Sequence, residues 1–290
     1  MKTLITGASG YLGSNLAHDL AGEFEVVGSY RSRSIEIPGV EMVQINLVDL
    51  ASVDSVIQEH SPSLIIHCAA QADIGAAQER PTEAEQINRI GTENLLASLP
   101  PQAYVIHIST DNVYDGTKGW YDESDDPAPI HTYGKTKLAG EAAVRRFGGD
   151  WSILRITLLY GGRPEYPRQF CDQTFFRLKR EERVTLFVDE YRTPLFVPDV
   201  ARAIRKMVEE RPSGELFNLA GPDRVSRVEF GEMLAELKGL DASLIDKVTA
   251  DSVPRRVQRP RDLSMRSDKI CSTLGMSLTP LNEGIERGYQ

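Results

Sequence analysis

The chain has 290 residues, of which 41% are apolar and 26% charged, and carries a formal net charge of −9. That size suits one large α/β domain or a domain with a smaller lobe, the composition excludes a disordered chain, and the acidic balance excludes nucleic acid held through a basic field. No apolar run approaches the roughly 20 residues needed to span a bilayer, so no membrane partner is expected.

Lys2 to Thr6 reads as a first strand, followed at once by Gly7, Gly10 and Gly13 in GxxGxxG spacing and by the helical pattern Leu12, Leu16, Leu20. Strand, glycine turn and helix come in the order a dinucleotide site requires. The glycines admit a pyrophosphate to the backbone, and the helix start offers free N–H groups at Tyr11 and Leu12. The second strand, Glu25 to Tyr30, ends in Ser29-Tyr30-Arg31-Ser32-Arg33 with no carboxylate for a ribose 2′-hydroxyl. Arg31 and Arg33 suit a 2′-phosphate, which predicts NADP(H) ahead of NAD(H). A third strand is expected over Glu41 to Asn46, with Asn46 and Leu47 lining an adenine pocket, and then a helix carrying Val53, Val56 and Ile57.

Ser63 to Ala70 is a nearly continuous apolar run of the kind buried on both faces of a parallel sheet, with Ala69 and Ala70 small enough to admit a ligand and His67 read as a satisfied core residue. A long helix from Glu83 to Leu99 carries Asn88. The strand from Ala103 to Thr110 then delivers Ser109, Thr110 and Asp111 to its carboxyl end, where open α/β sheets bind ligands. After an acidic, Pro-containing loop, Thr132 to Phe147 is helical, and Tyr133 and Lys137 share one face at i and i+4. A free phenol has a pKa of about 10, and a neighbouring ammonium lowers it toward the range of acid/base work.

Six strands alternating with helices through residue 157 predict a doubly wound parallel Rossmann sheet, with a dinucleotide-binding domain over 1–160 and a smaller C-terminal substrate lobe over 161–290. Residues 190–221 are expected to fold back onto the sheet. The last 70 or so residues would cover the cleft, bringing Arg255, Arg256, Arg259, Arg261 and Arg266 as a diphosphate clamp. Cys68, Cys171 and Cys271 are odd in number and lack a CxxC pair, which points to reduced thiols in a cytoplasmic protein and supports no metal site.

The stretch from Thr6 to Gly13, Ser109-Thr110-Asp111 and the segment Tyr133-Gly134-Lys135-Thr136-Lys137-Leu138-Ala139-Gly140-Glu141 together resemble the extended short-chain dehydrogenase/reductase family along essentially the whole chain. Ser109 to Gly116, Arg259-Pro260-Arg261-Asp262-Leu263-Ser264 and the short length are most similar to the dTDP-4-dehydrorhamnose reductase group. The resemblance implies reduction of a nucleotide-linked keto-deoxy sugar by a monomer or homodimer. In that scheme Tyr133 protonates the carbonyl oxygen, while Lys137 lowers its pKa and holds the nicotinamide ribose. Thr110 aims that oxygen with Ser109 beside it, Asn88 supports a proton relay through the lysine, and Asp111, Arg192 and Arg259 face the substrate.

Two stretches depart from the group. Its usual VDxAE motif is here Ile74-Gly75-Ala76-Ala77-Gln78, and its DQxGxPT is Asp189-Glu190-Tyr191-Arg192-Thr193-Pro194-Leu195. The sugar is therefore left open. Asn112 stands where sugar-nucleotide dehydratases carry a glutamate, which disfavours dehydration. An epimerase of the same family with tightly held NAD, and a non-catalytic subunit like the methionine adenosyltransferase partner, are the alternative readings.

Overall fold

Short apolar runs separated by amphipathic stretches produce a regular alternation in the computed structural model, which describes residues 1–163, 165–166 and 169–289. In order these are β1 (Lys2–Thr6), α1 (Tyr11–Leu20), β2 (Glu25–Tyr30), β3 (Glu41–Gln44), α2 (Leu50–His60), β4 (Leu64–His67), α3 (Ile74–Glu79), α4 (Pro81–Glu85), α5 (Gly91–Ser98), β5 (Tyr104–Thr110), α6 (Thr132–Arg145) and β6 (Asp150–Ile156). After them come β7 (Leu159–Tyr160), α7 (Phe170–Lys179), β8 (Val184–Phe187), β9 (Tyr191–Arg192), β10 (Leu195–Phe196), α8 (Val197–Glu210), β11 (Glu215–Leu219), β12 (Val225–Ser226), α9 (Arg227–Lys238), β13 (Ile245–Val248), α10 (Asp268–Leu274) and α11 (Leu281–Gly288).

Seven strands form one parallel sheet in the order β11-β6-β5-β4-β1-β2-β3. The chain winds outward in both directions from β1 and β4, so a crevice opens at the carboxyl ends of these central strands. Helices α1 and α8 cover one face, burying Leu16, Leu20, Val200, Ile204 and Met207 against Ile5, Ile66, Ile106 and Leu154. On the other face α2, α5 and α6 bury Val53, Ile57, Leu95, Leu96 and Val144 against Leu4, Ile65, Val105 and Ile153. This two-sided burial explains why β4 and the first part of β5 read as mostly apolar runs.

Outside the sheet, β8 pairs with β13, and an aromatic cluster of Tyr160, Phe175, Phe196, Phe230 and Tyr289 fills the space among α7, α9 and α11. Three sequence expectations are corrected. The third strand stops at Gln44, two residues early. The last segment does not all belong to the cover over the cleft, because Ile270 and Leu274 of α10 join the core beneath the sheet. The helix expected over 83–99 begins at Pro81 and is interrupted by a π-turn over Gln86–Ile90 that contains Asn88. Such a turn holds one extra residue per bond and is frequent at functional sites.

Candidate active site

A single cleft of about 1290 Å³ runs along the carboxyl ends of the strands, from the glycine turn to the arginine-rich segment near residue 259. At its start Gly7 has φ +68°, a left-handed conformation that favours glycine, and its missing Cβ would stand 2.8 Å from Ala69 Cα. A Cβ on Gly13 would lie 2.3 Å from the carbonyl oxygen of Gly7. The backbone is therefore as close-packed as glycine permits. Gly10 caps α1 without a side-chain hydrogen bond, which leaves the first N–H groups of the helix uncapped by any side chain. The side chains of Tyr11 and Leu12 are buried in the core, and the Tyr11 hydroxyl accepts from Gly162 N at 3.0 Å, so these residues offer the cleft mainly backbone.

Asn46, Leu47, Ala69, Ala70 and Arg31 line the same wall. Arg31 is held by Glu83 at 3.3 Å, whereas Arg33 is exposed and lies outside the lining. The two arginines expected together are thus separated. Among the described residues no group of three acidic, histidine or cysteine side chains forms a metal site, and no helix is long and apolar enough to cross a membrane.

Tyr133 and Lys137 project from the first turns of α6 into the middle of the cleft. His131 caps this helix, its Nδ1 accepting from Gly134 N at 3.2 Å, and burial drives its pKa down to about 4. The neutral ring then carries its hydrogen on Nε2 and donates to Asn112 Oδ1 at 3.1 Å. Burial also moves Tyr133 and Lys137. The Lys137 ammonium, nearly enclosed, is brought down to about 8. The Tyr133 phenol is pushed up to about 12 by burial, with the Asp111 carboxylate adding to the rise and the Thr110 hydroxyl opposing it. This is opposite to the expected lowering, because burial dominates; two of the Lys137 hydrogens go to Ile108 O at 2.8 Å and toward His107 Nε2 at 3.4 Å.

Asn88 is 1% exposed and sits beneath the cleft, not in its wall. Its Oδ1 accepts from Gln71 N at 2.8 Å and its Nδ2 donates to Thr136 Oγ1 at 2.9 Å, which ties the π-turn to α6. Gly140 makes this approach feasible, since a Cβ there would stand 2.7 Å from Asn88 O. His67 is the satisfied core histidine its setting suggested, bonded to Thr6 Oγ1 at 2.7 Å and to Thr92 Oγ1 at 3.0 Å.

Three residues expected to face a substrate are engaged with the protein. Ser109 borders the cleft, but its hydroxyl donates to Glu141 Oε1 at 2.6 Å. Glu141 in turn receives Arg155 Nη2 at 2.7 Å, and both members of this ion pair are buried. Asp111 accepts from Thr110 Oγ1 at 3.0 Å and Thr157 Oγ1 at 3.1 Å, and faces Arg192 Nε at 3.8 Å. Arg192 also donates from Nη1 to the carbonyls of Tyr191 and Arg261 and from Nη2 to that of Pro260. Arg192 therefore fastens the C-terminal segment to the end of β5. Thr110 keeps its hydroxyl at the cleft and accepts from Asn112 N at 3.2 Å.

The far end of the cleft is cationic. Arg259 lines it, and among the described residues no hydrogen bond or ion pair engages its guanidinium. Arg255 stacks on the Phe187 ring at 3.9 Å and pairs with Glu190, while Arg256 reaches Glu79 at 2.7 Å. Arg227 was missed in the sequence. It opens α9 over the Phe170 ring at 4.5 Å, burial brings its pKa down to about 10, and its buried Nη1 has no hydrogen-bond partner. No motif surrounds it; only the fold carries it to the cleft.

A family model described as the RmlD substrate binding domain matches residues 1–290. The chain belongs to this family. This member is 33% identical, over 98% of its length and 96% of the relative's, to the probable low-salt glycan biosynthesis reductase Agl14 of Haloferax volcanii. It is 32% identical to methionine adenosyltransferase 2 subunit beta of Pongo abelii over 98% of this chain and 86% of that relative. Among solved structures, the dTDP-4-dehydrorhamnose reductase of Bacillus anthracis in complex with NADP matches with a TM-score of 0.87 and 26% identity, over 99% of the RmlD-family chain and 98% of the other. The expected extended reductase family and doubly wound sheet are borne out.

Proposed function

We propose that the chain is an NADPH-dependent reductase of a nucleotide-linked keto-deoxy sugar. The observation that carries this reading is the continuity of one cleft, which joins the glycine turn, the Tyr133 and Lys137 pair, and the arginines at its far end. Its lining supports two ligands meeting at the phenol, a dinucleotide at the glycine turn and a sugar nucleotide at the arginines. The B. anthracis relative, described in complex with NADP, supports a nicotinamide cofactor.

The turn fits such a group, since Gly7, Gly10 and Gly13 leave backbone where side chains would fill the cradle. Arg31 supports NADP(H) ahead of NAD(H), because it lines the wall where a ribose 2′-phosphate would sit and no carboxylate ends β2. When bound, the cofactor supplies a hydride to the carbonyl carbon. Tyr133 gives its phenolic proton to the carbonyl oxygen, which becomes a hydroxyl, and the phenolate left behind is reprotonated from water in the cleft. Thr110 turns its hydroxyl from Asp111 to that oxygen and fixes its direction. Lys137 stabilises the transient phenolate. Arg227 and Arg259 hold the diphosphate, while Arg192 at the cleft wall and Asn88 one layer below serve as positioning residues.

Replacing Tyr133 with Phe tests the mechanism. NADPH oxidation with dTDP- or UDP-linked 4-keto sugars should fall by about 10²- to 10⁴-fold while cofactor binding persists. Unchanged turnover would sink the assignment. The kinship with a methionine adenosyltransferase subunit favours one second reading, a non-catalytic partner protein. A wild-type chain that binds NADPH, turns over none of these sugars and co-purifies with a larger enzyme would establish it instead.

A further inference from the structure

The Lys137 ammonium has three hydrogens to place in a site where its nitrogen is nearly sealed from water. Ile108 O accepts one at 2.8 Å, and His107 Nε2 stands 3.4 Å away to accept a second. One hydrogen remains for the cleft, which Lys137 lines beside Tyr133. The close approach of α6 fixes this arrangement, since a Cβ on Gly140 would stand 3.6 Å from His107 Nε2 and 2.7 Å from Asn88 O.

No other neighbour can take the role of His107. From β4, His67 has both ring nitrogens engaged by Thr6 and Thr92, and Cys68 is a protonated thiol whose pKa burial raises to about 12. From α6, Glu141 is committed to Ser109 and Arg155 of β6, and Tyr133 lies on the cleft side. The π-turn contributes uncharged Asn88, bonded to Thr136, while Arg89 turns outward to Glu85 and Glu93. If Nε2 accepts, the ring hydrogen is on Nδ1, and that atom is buried without a partner. Packing alone does not call for a polar ring in such a place.

We propose that His107 is a positioning residue for Lys137, its Nε2 accepting one ammonium hydrogen so that, together with Ile108 O, it aims the third N–H into the cleft at Tyr133. The kinetic part of this inference rests on the reductase reading; the spectroscopic part does not. An uncharged acceptor favours the ammonium over the amine, so removing it makes Lys137 lose its proton at lower pH.

The test combines two variants with a measurement on the unaltered chain. His107→Leu should move the alkaline limb of the kcat profile to lower pH by about one unit, the worth of one modest hydrogen bond to a charge. His107→Gln, which can present Oε1 in place of Nε2, should restore most of that limb. Equal shifts in both variants, or none in either, would overturn the proposal. Should both variants fail to fold, nitrogen-15 spectra of the five histidines in the wild-type chain decide the matter. His107 Nε2 must then resonate as a bare acceptor between pH 6 and 8, and a protonated Nε2 overturns the proposal. Failure of wild-type turnover would strike the reductase reading and leave this spectrum to speak for His107 alone.

Discussion

Glu141 joins the helix that carries Tyr133 to the strand that carries Thr110, and removing it has a calculable consequence. Its Oε1 accepts from Ser109 Oγ at 2.6 Å and Arg155 Nε at 2.9 Å, and its Oε2 accepts from Arg155 Nη2 at 2.7 Å. The Arg155 and Glu141 side chains are 1% and 0% exposed. Glu141→Ala leaves the Arg155 charge buried with only Tyr114 OH, at 2.9 Å, to face it. Breaking a buried pair in this way costs about 3–5 kcal/mol. For a chain of this size, about 2 °C of melting temperature per kcal/mol gives a fall of roughly 6–10 °C. The double variant Glu141→Leu with Arg155→Met removes both charges together, and most of that loss should return, because an apolar pair of similar volume is often neutral or better. Tyr114 remains satisfied through Asp122 O and Asn218. Thermal and urea melts of the two variants without cofactor measure the difference. A single variant within about 1 kcal/mol of wild type, or a double variant no more stable than the single, would refute the account. Turnover should stay depressed in the double variant even as stability returns, since Ser109 has lost the bond that sets the end of β5 against α6.

Arg227→Gln should weaken binding of dTDP or UDP by about 10- to 100-fold, the worth of one charge-assisted hydrogen bond, and leave NADPH binding unchanged; titration calorimetry with undiminished nucleotide affinity would remove Arg227 from the site. Lys137→Met should alter the pH dependence of stability, because burial lowers the folded-state pKa from 10.5 to about 8, so the unfolded chain binds more protons between these values. The cost of burying the ammonium, about 3 kcal/mol at 1.36 per unit, is in full force below pH 8 and fades as pH rises to 10.5. The stability of the methionine variant relative to wild type should therefore decline across that window, and a flat difference in denaturant melts would contradict the burial argument.

The sheet was legible because its signals are local. A parallel strand buried on both faces is largely apolar, as in Leu64–Ile66 and Tyr104–Ile106, and the glycine turn must follow the first such strand directly. The Tyr133 and Lys137 pair was legible for the same reason, since i and i+4 share a helix face wherever the helix goes. What escaped depends on contacts between distant segments. The π-turn at Asn88 has no composition signature and accompanies the close packing of Gly140 against Asn88 O. Arg192 and Arg259 look alike in the sequence, yet one is fastened by three backbone carbonyls and Asp111 while the other lines the cleft without a protein partner among the described residues. Sequence distance also hid Arg227, which arrives only after the chain has returned through β11.

The state of Tyr133 bears on which direction of chemistry this site favours. Reduction begins with a phenol that still holds its proton, whereas oxidation of an alcohol, the first half of an epimerase cycle, begins with a phenolate. Burial and the Asp111 carboxylate both favour the protonated phenol, and Lys137 sends two of its hydrogens to β5 and not to the phenolic oxygen. The phenol therefore holds its proton before ligands arrive, the form from which the proposed reductase would start. Once the proton has passed to the substrate, the phenolate formed beside Lys137 gains the stabilisation that the neutral phenol did not need. In the proposed reductase the ammonium would act on the product of the proton transfer, stabilising the phenolate that Tyr133 leaves behind.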